Sequence, residues 1–374
     1  MNVQFDQTGT TVGLEELVKQ ILEQENTASI FLLAGDGNKF TPETVDSILK
    51  KIQVPIFGGI FPEIIYKNDN FNQGTLGIGF PVAPQNMAVI PNLSNPRARY
   101  EEIIYQTIPT AFESNTMMVF VDGLSKQIHS FLRGLFSVFG LEFNYMGGGA
   151  GSLSFEQKPC LFTNDGLIQD SALLVMFNIG SGVGVNHGWT SIKGPFQVTQ
   201  ANQNIIKTLN NRPAFTVYKE IVETHSGKIF DTENFFELAK FYPFGINKQR
   251  ARKIVRDPLM LGANNSLICI GEVPSKSYVD ILTGNEESLI NAARQAKNIA
   301  EFEFNSISSS KITLLMDCIS RVLFLEDKFS NEIEAVSDLN STTVGALTIG
   351  EIANTGRDYL EFYSKTAVVG ILGA

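Results

Sequence analysis

One order of segments occurs three times along the chain, and it restricts the folds open to it. A strand-like run at 29–34 leads through a polar loop to a helix-like stretch at 42–52, then to Gly58-Gly59 and a second strand-like run at 76–80. The order returns at 117–122, 126–139, the cluster Gly147-Gly148-Gly149-Ala150-Gly151 and 172–177. It returns again at 312–317, 322–336, the stretch from Gly345 to Gly350, and 366–372. The strand runs are almost unbroken apolar stretches, the pattern of sheets covered on both faces. Irregular spacing points to a duplicated motif and not to a solenoid. The expected class is α/β, with repeated strand–helix–strand units in mixed sheets covered by helices. The glycines near Gly59, Gly149 and Gly350 are expected at equivalent places.

Between the second and third units the pattern changes. Runs at 196–199 and 205–209 flank a polar turn and predict a hairpin. Asn210-Asn211-Arg212-Pro213 reads as a helix start before a helical stretch at 214–222. A domain boundary is placed there, giving domains 1–212 and 213–374. Segments 266–272 and 277–282 around Pro274 predict a second strand pair, and 285–300 predicts a helix. A chain of 374 residues suits two domains, and 43% hydrophobic content with 28 phenylalanines excludes wholesale disorder.

A net charge of −10 argues against a nucleic-acid or anionic-membrane binder. No apolar run reaches bilayer length, so no membrane insertion is expected. The first residues lack a basic stretch followed by an apolar one, and Cys160, Cys269 and Cys318 make no disulfide or zinc framework. A reducing cytoplasm is the expected location.

Signatures of chemistry are sparse. None of the glycine clusters is followed by Gly-Lys-Ser/Thr or has the Gly-x-Gly-x-x-Gly order, so turns and close backbone approach explain them better than a phosphate cradle. His129 lies in an apolar helical stretch and His225 in a polar segment, both without metal-ligand spacing. His187, beside the only tryptophan, is the one histidine able to hold haem iron from one side. Without a second axial ligand or a Cys-x-x-Cys-His attachment, neither haem nor any other cofactor is expected. Cys318 stands between a strand and a helix, where a helix dipole can lower a thiol pKa, or where a small residue simply packs. Lys248, Arg250, Arg252, Lys253 and Arg256 form a basic cluster in an acidic chain, read either as a solvated run or as an anion clamp. Arg321 is a second clamp candidate. Glu351, in an apolar stretch, must be paired, exposed or functional.

At these residues the sequence resembles the FIST family of sensory modules. The segments that carry the resemblance are His187-Gly188-Trp189 through Pro195, Arg212-Pro213-Ala214-Phe215, Ile254-Val255-Arg256-Asp257-Pro258, Asp317-Cys318-Ile319-Ser320-Arg321 and the stretch ending Gly350-Glu351-Ile352. The resemblance implies N- and C-terminal FIST parts, binding of small ligands such as amino acids, and coupling to kinase, cyclase or chemotaxis outputs; some members resemble haem-based sensors. It marks Arg256, the Cys-x-x-Arg pair Cys318 and Arg321, and Gly350 with Glu351. Thr190, where arginine is common, and Ile319-Ser320, where glycine is common, depart from the pattern.

Together these readings predict a sensory protein that binds an amino acid or other small carboxylate and signals through a partner protein. Arg256, Arg321 and Glu351 are expected to converge on one cleft near Cys318 and Gly350. An internal Glu351–Arg321 salt bridge is the alternative arrangement. An enzyme acting on a small carboxylate through Glu351 or Cys318 is the alternative function.

Overall fold

The computed structural model describes residues 1–374 except 25, 110–112, 232, 234, 249–251, 305, 307–309, 339–340 and 355–357. The first unit runs β1 (Asn2–Asp6), α1 (Thr11–Leu22), β2 (Ser29–Gly35), α2 (Pro42–Leu49), β3 (Ile56–Phe61), the hairpin β4 (Glu63–Tyr66) and β5 (Asp69–Phe71), and β6 (Thr75–Phe80). The second repeats it as β7 (Asn86–Pro91), α3 (Tyr100–Thr107), β8 (Thr116–Asp122), α4 (Ile128–Phe139), β9 (Asn144–Ala150), the hairpin β10 (Leu161–Thr163) and β11 (Gly166–Ile168), and β12 (Ser171–Phe177).

The third unit is interrupted. After β13 (Gly180–Asn186) the chain leaves to build an eight-stranded sheet: β14 (Thr190–Asn202), β15 (Ile205–Leu209), β16 (Arg212–Pro213), β17 (Phe244–Ile246), β18 (Ile254–Arg256), β19 (Pro258–Leu261), β20 (Leu267–Cys269) and β21 (Tyr278–Thr283). Helices α5 (Ala214–Ser226) and α6 (Phe235–Ala239) belong to this insertion. The unit then resumes with α7 (Glu286–Glu303), β22 (Lys311–Cys318), α8 (Ile319–Leu325), α9 (Phe329–Val336), β23 (Thr342–Thr348), the pair β24 (Glu351–Ala353) and β25 (Glu361–Tyr363), and β26 (Ala367–Gly373).

Pairing is the same in every unit. A strand–helix–strand crossover yields a parallel pair (β2 with β3, β8 with β9, β22 with β23). The last strand returns antiparallel on the far side of the first, and the leading strand closes that edge. The remaining edge is covered by a hairpin from another unit. β4 pairs with β23, β24 with β9, and β10 with β3, so each unit lends its hairpin in a closed cycle. The exchange leaves no parallel pair with a bare edge.

The repeat read from the sequence therefore holds, but its equivalent glycines are Gly58, Gly147 and Gly345, not Gly59, Gly149 and Gly350. At each of the three a Cβ would lie 1.8–1.9 Å from the carbonyl oxygen of Leu32, Val119 or Leu315, the residue it faces in the parallel ladder. These glycines sit inside strands, so they admit a close backbone approach and form no turn. The helix expected over 322–336 is two short ones, and segments 266–272 and 277–282 do not pair with each other. Instead β20 joins β15 and β19, while β21 joins β14 and β17. β15 and β16 pair across Leu209 and Arg212, and the third sheet takes β13 from before residue 212 and β22, β23 and β26 from after it.

Strands β2, β8, β12, β22 and β26 are buried along their length, apart from Lys311 at the start of β22. Phe31, Phe57, Phe61, Phe80, Phe120 and Phe177 interlock between the first two sheets at centroid distances of 5.2–6.4 Å. Aromatic burial of this kind carries a large share of the hydrophobic stabilisation.

Candidate functional site

The carboxyl ends of the second and third parallel pairs face the inserted sheet, and two adjoining cavities lie between them. Crevices beyond the carboxyl ends of parallel strands are the usual ligand sites of α/β sheets. In β22 and β23 the last ladder pair is Cys318 opposite Thr348. Both line a cavity of about 360 Å³, with Ile319, Ser320, Leu323, Ile349 and Gly350 from the third unit. The opposite wall is Phe236, Leu259, Met260 and Ile270 from the insertion, with Leu153 and Phe155 from the loop after β9. Its surface is apolar, and among the described residues no lysine, arginine or histidine lines it. Phe155, Leu259, Ile270 and Ile349 also bound the second cavity, of about 390 Å³. That one is polar, reached by Gln127, Lys126, His129, Arg133, Asn204 and Glu272.

Beneath Cys318 and Thr348 lies a sealed polar layer. Glu351 is fully buried at the start of β24, and its Oε1 accepts a hydrogen bond of 2.7 Å from the Thr348 hydroxyl. Its Oε2 has no hydrogen-bond partner; the Cys318 thiol and the Thr366 backbone lie close by without bonding geometry. Burial raises the Glu351 pKa to about 8, against the opposing pull of the Thr348 and Cys318 contacts and the Arg321 charge. Burial, with Glu351 adding to it, also pushes the Cys318 thiol well above its ordinary value. The dipole of α8 does not produce a thiolate here.

Arg321 is wholly consumed within the protein. Its Nε and Nη2 donate to the two oxygens of Glu332 at 2.7 Å each, and Asp317 Oδ1 stands 3.2 Å from Nε. Nη1 donates to the carbonyls of His187 and Lys365, and Nη2 also to that of Leu289. Burial alone would weaken the guanidinium as a base, but Glu332 and Asp317 outweigh it and raise its pKa. Arg321 thus ties the helices α7, α8 and α9 to the start of the insertion. Its ion-pair partners are Glu332 and Asp317; Glu351 makes no salt bridge with it.

Arg256 lies elsewhere. Its nitrogens donate to the carbonyls of Glu272, Val255 and Phe362, and Nη2 meets His129 Nε2 at 3.0 Å. It borders a third cavity of about 480 Å³, beside Lys248, Glu361 and Phe362. Burial, then the Arg256 charge, hold His129 well below its ordinary pKa, so the ring is a neutral acceptor. Arg256 and Arg321 therefore do not meet, whereas Cys318, Gly350 and Glu351 do. Of the basic cluster, Lys248 pairs with Glu361 at 2.8 Å, Lys253 pairs with Asp280, Arg252 is exposed, and Arg250 lies outside the described residues.

Sequence reasoning missed a second buried ion pair: Lys365 Nζ is 3.2 Å from Asp257 Oδ2, and both are fully buried. It missed the insertion's wall as well, because Leu259, Met260 and Ile270 look like ordinary strand residues until the sheet is folded over the cavity. His187 Nδ1 accepts the Trp189 amide at 3.0 Å. That bond leaves the ring proton on Nε2, the nitrogen an iron would need free.

Family comparisons agree with this layout. The FIST N domain matches residues 30–212 and the FIST C domain residues 214–354. The chain is a FIST protein. FIST domains are associated with sensory signal transduction. No curated protein shows significant sequence similarity to this one. Among the described residues of this FIST protein, no group of three or more His, Cys, Asp or Glu could hold a metal ion. Among those residues, too, no helix is long and apolar enough to cross a membrane.

Proposed function

We propose that this FIST protein is a sensory module that takes a small ligand into the cavity between Cys318–Thr348 and the inserted sheet, and passes the signal to a partner protein. The observation that carries the reading is the cavity itself. Its volume, near 360 Å³, is in the range of small-molecule sites, and its two walls come from the third unit and the inserted sheet. A ligand touching both walls biases their relative placement, which is how binding becomes a signal. The rim residues Leu153, Phe155, Met260 and Leu323 are partly exposed apolar groups that such a shift would rearrange before a partner.

An amino acid of the kind implied by the family would keep its ammonium head and apolar body in the apolar cavity against Leu259 and Ile270 and reach towards Lys126 in the polar cavity with its carboxylate. Cys318 and Gly350 serve as wall, Glu351 as the ionisable carboxyl behind it, and Arg256 and Arg321 as the braces of the two flanking structures. The protonated Cys318–Glu351 pair suits binding better than nucleophilic catalysis, since the thiolate is the nucleophile. His187, held by Trp189, is not proposed as a haem ligand, and the free buried cysteines suit a reducing cytoplasm.

Titration calorimetry with phenylalanine, hydrocinnamate, phenethyl alcohol and phenethylamine tests the reading on wild type and Leu323→Trp, whose indole would fill the mouth. At least one probe is expected to bind and to lose about tenfold or more in affinity in the variant. Binding that Leu323→Trp leaves untouched would place the site elsewhere.

A further inference from the structure

We infer that the apolar cavity selects a cation, a small apolar body bearing an ammonium head that sits on Cys318 and Thr348 with Glu351 immediately behind them. The inference rests on the cavity reading above and narrows it to one ligand class.

The first argument is a count of buried charge. Four carboxylates, Asp257, Asp317, Glu332 and Glu351, lie in the layer beneath the floor, all fully buried. Two cations, Arg321 and Lys365, lie among them. Among the described residues, the other buried cations are turned away, Lys240 to Glu237 and Glu326 and Arg256 to His129 and backbone carbonyls beside another cavity. Glu332 and Asp257 are paired with Arg321 and Lys365, while burial raises the pKa of Asp317 and Glu351, so the layer is near neutral. It can answer an added positive charge by ionising a carboxyl and has no such answer to a negative one.

The second argument is hydrogen bonding. Glu351 Oε2 and Asp317 Oδ2 are buried acceptors with no donor. The nearby cations are spent, Arg321 on Glu332, Asp317 and three carbonyls, and Lys365 Nζ on the Lys240 carbonyl and Asp257; the remaining donors are neutral, the Cys318 thiol and the Ser364 hydroxyl. The Thr348 hydroxyl is shared between Glu351 and the Asp317 carbonyl. An ammonium head on Cys318 and Thr348 acts on these sealed oxygens through its charge and not through direct hydrogen bonds, since neither Glu351 nor Asp317 lines the cavity. A carboxylate brings only acceptors and meets no cation on these walls. Across one layer of side chains in a poorly polarisable interior, the attraction of an ionised Glu351 for such a head is far stronger than in water.

Binding is then coupled to a proton. The groups acting on Glu351 are Cys318 and Asp317 on β22, Arg321 on α8, Thr348 at the end of β23 and the Thr366 backbone. With its pKa raised to about 8, Glu351 holds its proton at neutral pH. When the ammonium ion enters, the carboxylic acid loses that proton to solvent and the charge pair remains. The total charge of the site is unchanged, and affinity rises with pH until Glu351 is ionised in the free protein.

The test is calorimetry on the wild-type chain at about pH 7, in two buffers of different ionisation enthalpy. Phenethylamine, phenethyl alcohol and hydrocinnamate share one body and differ in the head. The amine is expected to bind about tenfold tighter than the alcohol, to release close to one proton and to tighten towards pH 8, while hydrocinnamate shows no binding. Glu351→Gln should abolish the amine's advantage over the alcohol and the proton release. Hydrocinnamate binding as well as the amine, absence of proton release, or an amine affinity indifferent to Glu351→Gln would each overturn the inference. If the alcohol binds and the amine does not, the cationic class fails and the cavity reading stands; if none of the three binds, both fail. The wild-type titrations decide the matter even if Glu351→Gln does not fold.

Discussion

Arg321 shows how a charged side chain in an apolar setting acts as a brace. Its removal would strand Glu332 and Asp317, both fully buried, so Arg321→Ala should cost about 3–5 kcal/mol in chemical denaturation. A loss below about 1 kcal/mol would show that the network is not structural. Glu351 makes the opposite demand. Its carboxyl titrates near 4.5 when unfolded and near 8 when folded, so the folded state binds the extra proton between those values. Stability from this group is complete below its unfolded pKa and is lost as pH rises through about 8. The slope is at most about 1.4 kcal/mol per pH unit, and Glu351→Gln should remove it. Cys318, 2% exposed and with a raised pKa, should resist iodoacetamide at neutral pH in intact protein; rapid labelling seen by mass spectrometry would contradict its placement. The sequence marked Glu351 because a carboxylate in an apolar run needs a reason, Cys318 by its place between a strand and a helix, and Arg321 as a clamp candidate beside it. It left their partners hidden, since Glu332, Asp257 and Lys365 reach them only through tertiary packing.

At the scale of elements, three glycines set the spacing of the parallel pairs. Gly147→Ala and Gly345→Ala would each drive a methyl into the Val119 or Leu315 carbonyl, and each should destabilise by at least about 2 kcal/mol. Ala substitution at Gly140, where a Cβ meets nothing within 4 Å, is the comparison, its cost confined to the positive φ of 54°. Denaturant midpoints of the three variants check the contrast, and equal losses would refute it. The long apolar strands of the repeat were legible because they are buried on both faces and seven or eight residues long. The exchanged hairpins were not: their strands are three or four residues, and they pair with units distant in sequence. Nothing local records such a partner.

Over the whole molecule, three units close on each other through their hairpins, while the insertion between β13 and α7 lies across the carboxyl ends of two of them. Duplication was readable; the position of the insertion as a cavity wall was not, because it depends on how two sheets are set against each other. The closed hairpin cycle joins the three units through main-chain pairing, and the proposed ligand would act between them and the insertion. A crystal structure of the wild-type protein grown with phenethylamine tests this most directly. The account predicts its density in the cavity bounded by Cys318, Thr348, Leu259 and Ile270, with the nitrogen at the Glu351 end. Density confined to another surface, or an empty cavity at a concentration that saturates binding in solution, would contradict it.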